Sequence, residues 1–374
     1  MNEDKASRYH RLKRRTSIVS LAWGVVLLVG LLLTGLSIEV RDLADSWADH
    51  LGVWPRLVPI VALSAYLVLV GAINEVISLP LGFYSGYVVE HRYELSTQTI
   101  GHWAIERVKG LAIGGLFGLV GFNLLYAALR RWPHDWWVPA GAGFSLITIL
   151  LANIAPVLLL PIFYRVTPLA REALRARLIT LADRAGVRVV DAYEWRVSDR
   201  TKKANAALTG LGHTRRILVS DTLLAEYSDD EIEMVLAHEL GHHVHRDIWK
   251  GIAFETLLAF AGFYLASRLL VTFAPSAGLR GPADVAGLPL LLLAAGAVSL
   301  VLLPLANALS RAFERAADRH ALDLGRNAAA FISAMRRLGS QNLAEEHPSA
   351  LVRILFHSHP PIAERIKTAS ARLR

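Results

Sequence analysis

The sequence predicts a mainly α-helical, polytopic membrane protein with about six transmembrane helices and a small α+β portion. Of its 374 residues, 53% are hydrophobic and only 19% are charged, whereas soluble domains have about 25% charged residues. The mean hydropathy is +0.38. Five stretches run for about 18 residues or more without a charge, which is long enough for a helix to cross a bilayer. These stretches are residues 16–38, 57–74, 110–129, 136–164 and 285–310.

A sixth predicted span covers residues 251–273, although Glu255 and Arg268 interrupt its apolar run. Lys and Arg concentrate on the cytoplasmic flanks of membrane spans. Five of them stand just before the first span, namely Arg8, Arg11, Lys13, Arg14 and Arg15. The N-terminus is therefore predicted in the cytoplasm, and six spans return the C-terminus to that side.

The same orientation places the segment at residues 165–250 in the cytoplasm and an acidic loop at residues 39–56 outside. The abundance of Arg and Ala resembles that of high-GC bacteria. We therefore expect a multi-pass protein of a bacterial inner membrane.

The net charge of +8 does not indicate a nucleic-acid-binding protein. The basic residues flank the predicted spans, where attraction to anionic lipid accounts for them. Membrane lipid is thus an expected partner and nucleic acid is not. Because the chain has no cysteine, disulfides, cysteine-bound zinc and a thiol nucleophile are excluded.

The predicted cytoplasmic segment combines helix and strand patterns. Residues 168–185 have the period of an amphipathic helix, and residues 187–195 alternate like a strand. A hairpin is predicted from residues 203–208 and 216–220, around a glycine-rich turn at residues 210–213. An extended substrate can pair with the edge of such a strand. Asn205 could then hold the substrate backbone, although a turn asparagine explains it equally well.

His238, Glu239 and His242 form an H-E-x-x-H motif. Histidines four residues apart lie on one face of a helix, within reach of one metal ion. In zinc peptidases the two histidines bind Zn²⁺ and the glutamate acts as the general base. Chance alone yields the three-residue pattern in roughly 2% of chains of this size and composition, so the surroundings of the motif matter.

The surroundings favour a helix that presents this motif. Ser228 and Glu231 have the spacing of a capping box, with Ser228 at the N-cap. The helix is predicted over residues 229–245. Its buried stripe is expected at Ile232, Val235 and Leu236.

A catalytic zinc site needs a third protein ligand and leaves one position open. Glu314 and Asp318 lie four apart after the last span and share a helical face. Glu314 could complete a His₂Glu site, and Asp318 could accept a hydrogen bond from a ligating histidine. The competing interpretation is an ordinary solvated helix end. His245 and His320 are the rival ligands.

Several segments together resemble the type I CAAX prenyl endoproteases. These are integral-membrane zinc metallopeptidases that cleave near the C-terminus of prenylated proteins. The resemblance extends over nearly the whole chain from about residue 60. The matching segments are residues 79–99, 201–210 (TKKANAALTG), 216–224 (RILVSDTLL), 238–242 (HELGH), 313–318 (FERAAD) and 357–365 (HSHPPIAER).

The resemblance implies a gluzincin-type peptidase portion with one Zn²⁺ per chain. The implied zinc ligands are His238, His242 and Glu314, with Glu239 as the general base. Asp318 becomes the carboxylate that supports a ligating histidine.

The resemblance also assigns roles to three residues outside the metal ligands. Asn205 is implied to contact the substrate backbone, and His359 to stabilise the tetrahedral oxyanion. Arg365 is implied to orient that region or to pair with a carboxylate. The spans are implied to enclose a chamber, although eukaryotic members have seven spans where six are predicted here.

The leading functional hypothesis is a membrane zinc endopeptidase that acts on a peptide or protein with a C-terminal lipid. The first alternative is a quality-control protease for misfolded membrane proteins, but such bacterial enzymes are shorter and lack the segment at residues 79–99. The second is a zinc-binding receptor or scaffold without activity, for which Glu239 would be superfluous.

The order of these features predicts two domains. An N-terminal membrane domain with four spans covers residues 1–163. The peptidase domain covers residues 164–374 and includes the motif helix, two further spans and a cytoplasmic C-terminal segment.

Overall fold

The computed structural model describes residues 4–210 and 212–373, and most of them are helical. The first half contains α1 (Lys5–Leu33), α2 (Leu36–His50), α3 (Val58–Phe83), α4 (Val89–Arg92), α5 (Ile100–Arg131), α6 (Trp137–Ile154) and α7 (Leu160–Phe163). The sheet region contains β1 (Arg165–Pro168), α8 (Glu172–Arg184), β2 (Ala192–Arg196), β3 (Ala206–Thr209), β4 (Arg216–Ser220), α9 (Asp221–Glu226) and α10 (Asp229–Val244). The remaining helices are α11 (Asp247–Phe273), α12 (Leu288–Gly325), α13 (Ala328–Gln341), α14 (Ala350–Phe356) and α15 (Ile362–Ser370).

All six predicted spans are present as helices that are long and apolar enough to cross a membrane. The third begins ten residues earlier than predicted, and the interrupted sixth forms one continuous helix. The candidate spans are Lys5–Leu33, Val58–Arg92, Ile100–Arg131, Trp137–Ile154, Asp247–Phe273 and Val285–Gly325.

The loop predicted at residues 39–56 is wrong up to residue 50, because α2 occupies that stretch. The first span ends at Leu33, since Gly35 adopts a left-handed backbone (φ 75°) that separates α1 from α2. With 15 residues, α2 is about 22 Å long, which is shorter than the hydrocarbon core of about 30 Å. It packs on α3 and buries Ala44.

The membrane helices pack around a shared apolar core. α11 lies against both α6 and α12, and the largest buried side chains of this core are Tyr66, Tyr126 and Trp136. At one end of the core, Arg41 Nη1 donates to Asp284 Oδ2 over 2.6 Å, and both side chains are buried. This ion pair joins α2 to the segment that leads into α12.

The four strands form one sheet in the order β1-β2-β4-β3. β2 and β4 are parallel, whereas the other neighbours are antiparallel. The predicted hairpin is confirmed as β3 and β4, although Leu211 in its turn lies outside the described residues. β3 is an outer strand, so one of its edges carries no further strand.

Three predicted bounds in this region are wrong. The first strand of the hairpin begins at Ala206 rather than residue 203. The amphipathic helix begins at Glu172 rather than residue 168, because residues 165–168 pair with β2 as strand β1. The next strand begins at Ala192 rather than residue 187. The Val187 N–H donates to the Ala182 carbonyl over 2.9 Å, so the start of the predicted strand caps α8 instead.

A second core joins the sheet to the helices around α10. Leu178, Ile217, Leu236 and Phe331 are fully buried there. α10 crosses this core and packs on β3, α8, α12 and α13. α12 runs without interruption for 38 residues from the membrane core into this second core. It therefore brings Glu314 and Asp318 beside the H-E-x-x-H helix.

Candidate active site

The capping box predicted at the start of α10 is present. The Ser228 N–H donates to Glu231 Oε2 over 2.8 Å, and the Glu231 N–H donates to Ser228 Oγ over 3.3 Å. The predicted stripe of Ile232, Val235 and Leu236 is buried. This packing fixes the rotation of α10.

His238 and His242 lie on adjacent turns of α10, with their Nε2 atoms 3.2 Å apart. Glu314 approaches both from α12, because its Oε2 lies 3.3 Å from His238 Nε2 and its Oε1 lies 3.3 Å from His242 Nε2. The three ligand atoms lie within 4.8 Å of one another. Two helices that are far apart in sequence thus complete a His₂Glu set.

The arrangement fits a bound cation. Glu314 Oε2 is buried and has no hydrogen bond to any described residue, although two imidazole nitrogens lie close to it. Two imidazoles and one carboxylate that converge in this way are the donor set of a catalytic zinc site. Within residues 4–210 and 212–373, no other group of at least three such side chains converges.

A carboxylate holds the far ring nitrogen of each histidine. Asp318 Oδ1 lies 2.8 Å from His238 Nδ1, and Asp247 Oδ2 lies 3.0 Å from His242 Nδ1. Such contacts keep the proton on Nδ1 and direct the lone pair of Nε2 towards the metal position. Asp318 lies where it was predicted.

Asp247 was missed by the sequence reasoning. α10 and α11 are joined by a short turn in which Arg246 has a left-handed backbone (φ 56°). This turn carries Asp247 back beneath His242, and Lys250 Nζ lies 3.0 Å from its Oδ1. The sequence contains one indication of this contact, which is an acidic residue in the first turn of the helix that follows the motif.

Burial and the neighbouring carboxylates shift the pKa values of the motif in different directions. Burial lowers the pKa of His238, but its contacts with Asp318 and Glu314 outweigh that effect and raise the pKa to about 9. The pKa of His242 is also raised, because contact with Glu314 outweighs its burial. Burial raises the pKa of Glu239, against the attraction of both histidines.

The structure brings His359 and Arg365 to the same site from the C-terminal segment. His359 Nδ1 lies 3.0 Å from Glu314 Oε2, while 65% of its side chain is exposed. Arg365 donates from Nε and Nη2 to the two carboxylate oxygens of Asp318, over 2.8 and 2.6 Å. Of the two roles considered for Arg365, pairing with a carboxylate is the one that this geometry supports.

The two rival ligands lie elsewhere. His245 and His320 contact each other with ring centroids 5.6 Å apart, and neither belongs to the converging group. Asn205 does reach the site region. Its side chain is exposed, lines the same cavity as Glu239 and makes no hydrogen bond to the described residues.

Two cavities meet at Glu239. The larger has a volume of about 460 Å³ and is lined by His238, Glu314 and Ala206 among others. The smaller has a volume of about 210 Å³ and is lined by His242 and Leu208. β3 therefore extends past Glu239 from one cavity to the other.

Residues 168–373 match the family model described as peptidase family M48. The chain belongs to peptidase family M48. Residues 2–165 match the model described as the CAAX prenyl protease N-terminal region with five membrane helices. Four helices of this region are candidate membrane spans, and α2, with 15 residues, is not among them.

Similar proteins come from bacteria and fungi. Over 308 residues the chain is 33% identical to the uncharacterized metalloprotease YhfN of Bacillus subtilis. The match covers 81% of this chain and 72% of that protein. It is 28% identical over 299 residues to the probable CAAX prenyl protease 1 of Schizosaccharomyces pombe, covering 78% of this chain and 62% of the yeast protein. The chain therefore spans less than two thirds of that relative.

A solved structure has the same fold. The crystal structure of S. mikatae Ste24p superposes with a TM-score of 0.84 at 26% identity, covering 98% of this chain and 88% of that one. These matches confirm the family resemblance and the helical membrane fold. This M48 chain is thus a multi-pass membrane protein and a metalloprotease. M48 peptidases are zinc enzymes, and the His₂Glu set suits that metal.

Proposed function

We propose that this chain is a zinc-dependent membrane endopeptidase of the CAAX prenyl protease type, which cleaves near the C-terminus of a lipid-modified peptide or protein. The observation that carries the proposal is the convergence of His238, His242 and Glu314 beside Glu239, at the junction of two cavities. The match of residues 2–165 to a CAAX prenyl protease region supports the substrate class. The named relatives support it too.

One Zn²⁺ per chain would be held by His238, His242 and Glu314, with Asp318 and Asp247 fixing the two imidazoles. A zinc ion there supplies Lewis acidity to the scissile carbonyl and to the attacking water. The chain itself must position the peptide, move a proton and stabilise the charge that develops.

Glu239 is proposed as the residue that moves the proton. Its carboxylate makes no hydrogen bond or ion pair with the described residues, and it borders both cavities. Burial raises its pKa, which suits a group that first accepts a proton from water and then gives it to the leaving amine.

His359 is proposed to stabilise the oxyanion. Its side chain is mostly exposed in the larger cavity, and its Nδ1 is directed at Glu314. The Nε2 atom makes no hydrogen bond or ion pair with the described residues, and it would donate to the oxyanion when both ring nitrogens carry a proton. Donors of this kind act where negative charge develops in the transition state.

β3 is proposed to align the peptide. It is an outer strand of the sheet, and Ala206 and Leu208 line the two cavities on either side of Glu239. An extended substrate that pairs with this edge would carry its scissile bond past Glu239. The exposed amide of Asn205 is proposed to hold the substrate backbone at the same point.

The site is proposed to face the cytoplasm, most simply at a bacterial inner membrane. The basic cluster in the first half of α1, on the N-terminal side of its apolar run, supports this orientation. Membrane lipid and a lipid-modified protein are the proposed partners.

The test is cleavage of a fluorescent CAAX peptide, farnesylated and unmodified, by the detergent-purified protein. Wild type should cut the peptide, and activity should be lost with chelator and in the variant Glu239→Ala. Glu233→Gln is the matched control, because Glu233 lies on the same helix and pairs with Arg177 away from the metal ligands. A clear preference for the farnesylated peptide supports the CAAX type. Equal cleavage of both peptides favours general membrane proteolysis, and no cleavage contradicts the proposal.

A further inference from the structure

Every second residue of β3 directs its backbone N–H and carbonyl groups to the free edge of the sheet. The Ser220 N–H donates to the Asn205 carbonyl over 3.0 Å, and the Asn205 N–H donates to Ser220 Oγ over 3.0 Å. Residues of an antiparallel pair alternate between facing the partner strand and facing away from it. The backbone groups of Ala204, Ala206 and Leu208 therefore face the edge away from β4.

The beginning of this edge is already occupied. The Ala204 N–H donates to Asn342 Oδ1 over 3.1 Å, and Asn342 Nδ2 donates to the Ala204 carbonyl over 3.2 Å. One side-chain amide thus makes both hydrogen bonds that a neighbouring strand would make. Two residues earlier, the Lys202 N–H donates to the Leu95 carbonyl, and Gln341 Nε2 donates to the Lys202 carbonyl.

The edge is open only beyond this point. Neither Ala206 nor Leu208 has a hydrogen bond on that side to any residue that the structure describes. Asn342 and Ala206 both line the larger cavity, which also contains Glu239. The edge is therefore closed at one end by Asn342 and continues at the other end into the smaller cavity.

We propose that Asn342 ends the substrate-binding edge of β3 at Ala204. Only the few substrate residues between the scissile bond and this end can then form backbone hydrogen bonds with β3. Ala204 precedes by two to four residues the part of β3 beside Glu239, from Ala206 to Leu208, so about two or three extended substrate residues pair with the edge between Glu239 and Asn342. A longer segment must turn away from the strand. This inference rests on the proposed function and adds a residue that determines specificity.

The closed end takes the C-terminal part of the substrate. The smaller cavity at the other end is lined by Ala152 of α6 and Ile248 of α11, which are both candidate membrane spans, and His10 of the first span lines the larger cavity. The retained body of the substrate is long and needs the end of the edge that Asn342 does not close. The short segment that is released therefore occupies the larger cavity, between Glu239 and Asn342.

The experiment uses farnesylated peptides with one to six residues after the cysteine, with mass spectrometry to locate the cut bond. In wild type, kcat/KM should rise by about tenfold as this segment grows from one to three residues, since binding away from the reacting bond supports catalysis. It should change by less than about twofold from three to six residues, because no further backbone hydrogen bond can form.

Asn342→Gly should free the edge at Ala204. The ratio of kcat/KM for the five-residue segment to that for the three-residue segment should then rise by about threefold, the effect of one added hydrogen bond. Asn342→Ser is the second variant, since the serine side chain is too short to bond both the N–H and the carbonyl of Ala204. Gln341→Ala is the matched control, because it loosens the same end of α13 and leaves Ala204 covered.

A wild-type kcat/KM that keeps rising at the fourth and fifth residues overturns the inference. So does an unchanged length profile in Asn342→Gly and Asn342→Ser proteins that retain the zinc content and melting temperature of wild type. Both outcomes leave the proposed function intact. Failure to cleave any peptide instead overturns the proposed function, and the role of Asn342 with it.

Discussion

A Cβ atom at Gly241 would lie 2.8 Å from the Cα atom of Ala317. Gly241 stands between the two histidine ligands of α10, and Ala317 stands between Glu314 and Asp318 on α12. Only a residue without a side chain lets the two backbones come this close. The approach of these helices thus sets the distance between the metal ligands.

Gly241→Ala should separate the two ligand helices. Overpacking of this kind lowers the free energy of unfolding by about 1–3 kcal/mol. Zinc affinity should fall by roughly tenfold, because Glu314 moves away from the histidines. Chemical denaturation and competition with a chromogenic chelator measure the two effects. Gly251→Ala on α11, where an added Cβ meets no atom within 4 Å, should leave zinc affinity unchanged; equal losses in both variants would contradict the prediction.

Asp247→Ala should weaken zinc binding by about 10–100-fold, the usual effect of losing the carboxylate behind a ligating histidine. His242 then lacks the acceptor that fixes its ring, and Lys250 loses its partner. Zinc affinity and turnover are the measurements. Asp323→Ala serves as the control, because that exposed carboxylate pairs with Arg372 at the surface, away from the metal ligands. Full zinc affinity in Asp247→Ala would show that the contact is dispensable.

Zinc affinity should rise with pH. The pKa of His238 is raised to about 9, so the imidazole is protonated at neutral pH after zinc has been stripped, and binding must displace that proton. Affinity should therefore increase by about tenfold per pH unit between pH 6.5 and 9. Calorimetry in buffers of different ionisation enthalpy counts the released protons, and a count of zero at pH 7 would refute the expectation.

The same pKa predicts how the stripped protein responds to pH. A histidine whose pKa is higher in the folded than in the unfolded protein stabilises the fold. This stabilisation is fully present below the unfolded pKa of about 6.5 and is lost as the pH rises through about 9. Stripped protein should thus melt at a lower temperature at pH 9 than at pH 6.5. Because zinc affinity rises over the same pH range, the difference in melting temperature between zinc-loaded and stripped protein should widen. A difference that narrows with pH would contradict the predicted pH dependence of both zinc affinity and stability.

Arg365→Ala should destabilise the site by about 3–5 kcal/mol, since it leaves the buried carboxylate of Asp318 without its guanidinium partner. Arg365→Lys should recover only part of the lost stability. The ammonium group keeps the positive charge, but it cannot donate to both carboxylate oxygens as the guanidinium group does. Denaturant titration of the two variants measures the difference. Equal stability of wild type and Arg365→Ala would show that the contact with His238 is enough to stabilise the Asp318 carboxylate.

Local spacing explains which parts of the site were predictable. His238 and His242 share one helix, as do Glu314 and Asp318, so a period of 3.6 residues is enough to place each pair on one face. The capping box at Ser228 is equally local. The six spans follow from the length of apolar runs, which the thickness of the bilayer dictates.

The parts that were missed depend on contacts between distant segments. Asp247 reaches His242 only because Arg246 takes a left-handed turn, and Asn342 meets Ala204 across more than 130 residues of chain. Helix α2 replaced a predicted loop because one face packs on α3, where its buried residues include Ser37, Val40 and Arg41. No pattern within the segment itself reveals these partners.

The continuous helix α12 has a consequence for how the protein is made. His238 and His242 are synthesised before the membrane helices α11 and α12, and Glu314 lies in the last third of α12. During synthesis the ligand set stays incomplete until both helices have been inserted and Glu314 has returned to the side of α10. A chain that inserts with the wrong topology cannot assemble the site, so proteolytic competence is reserved for molecules already placed correctly in the bilayer.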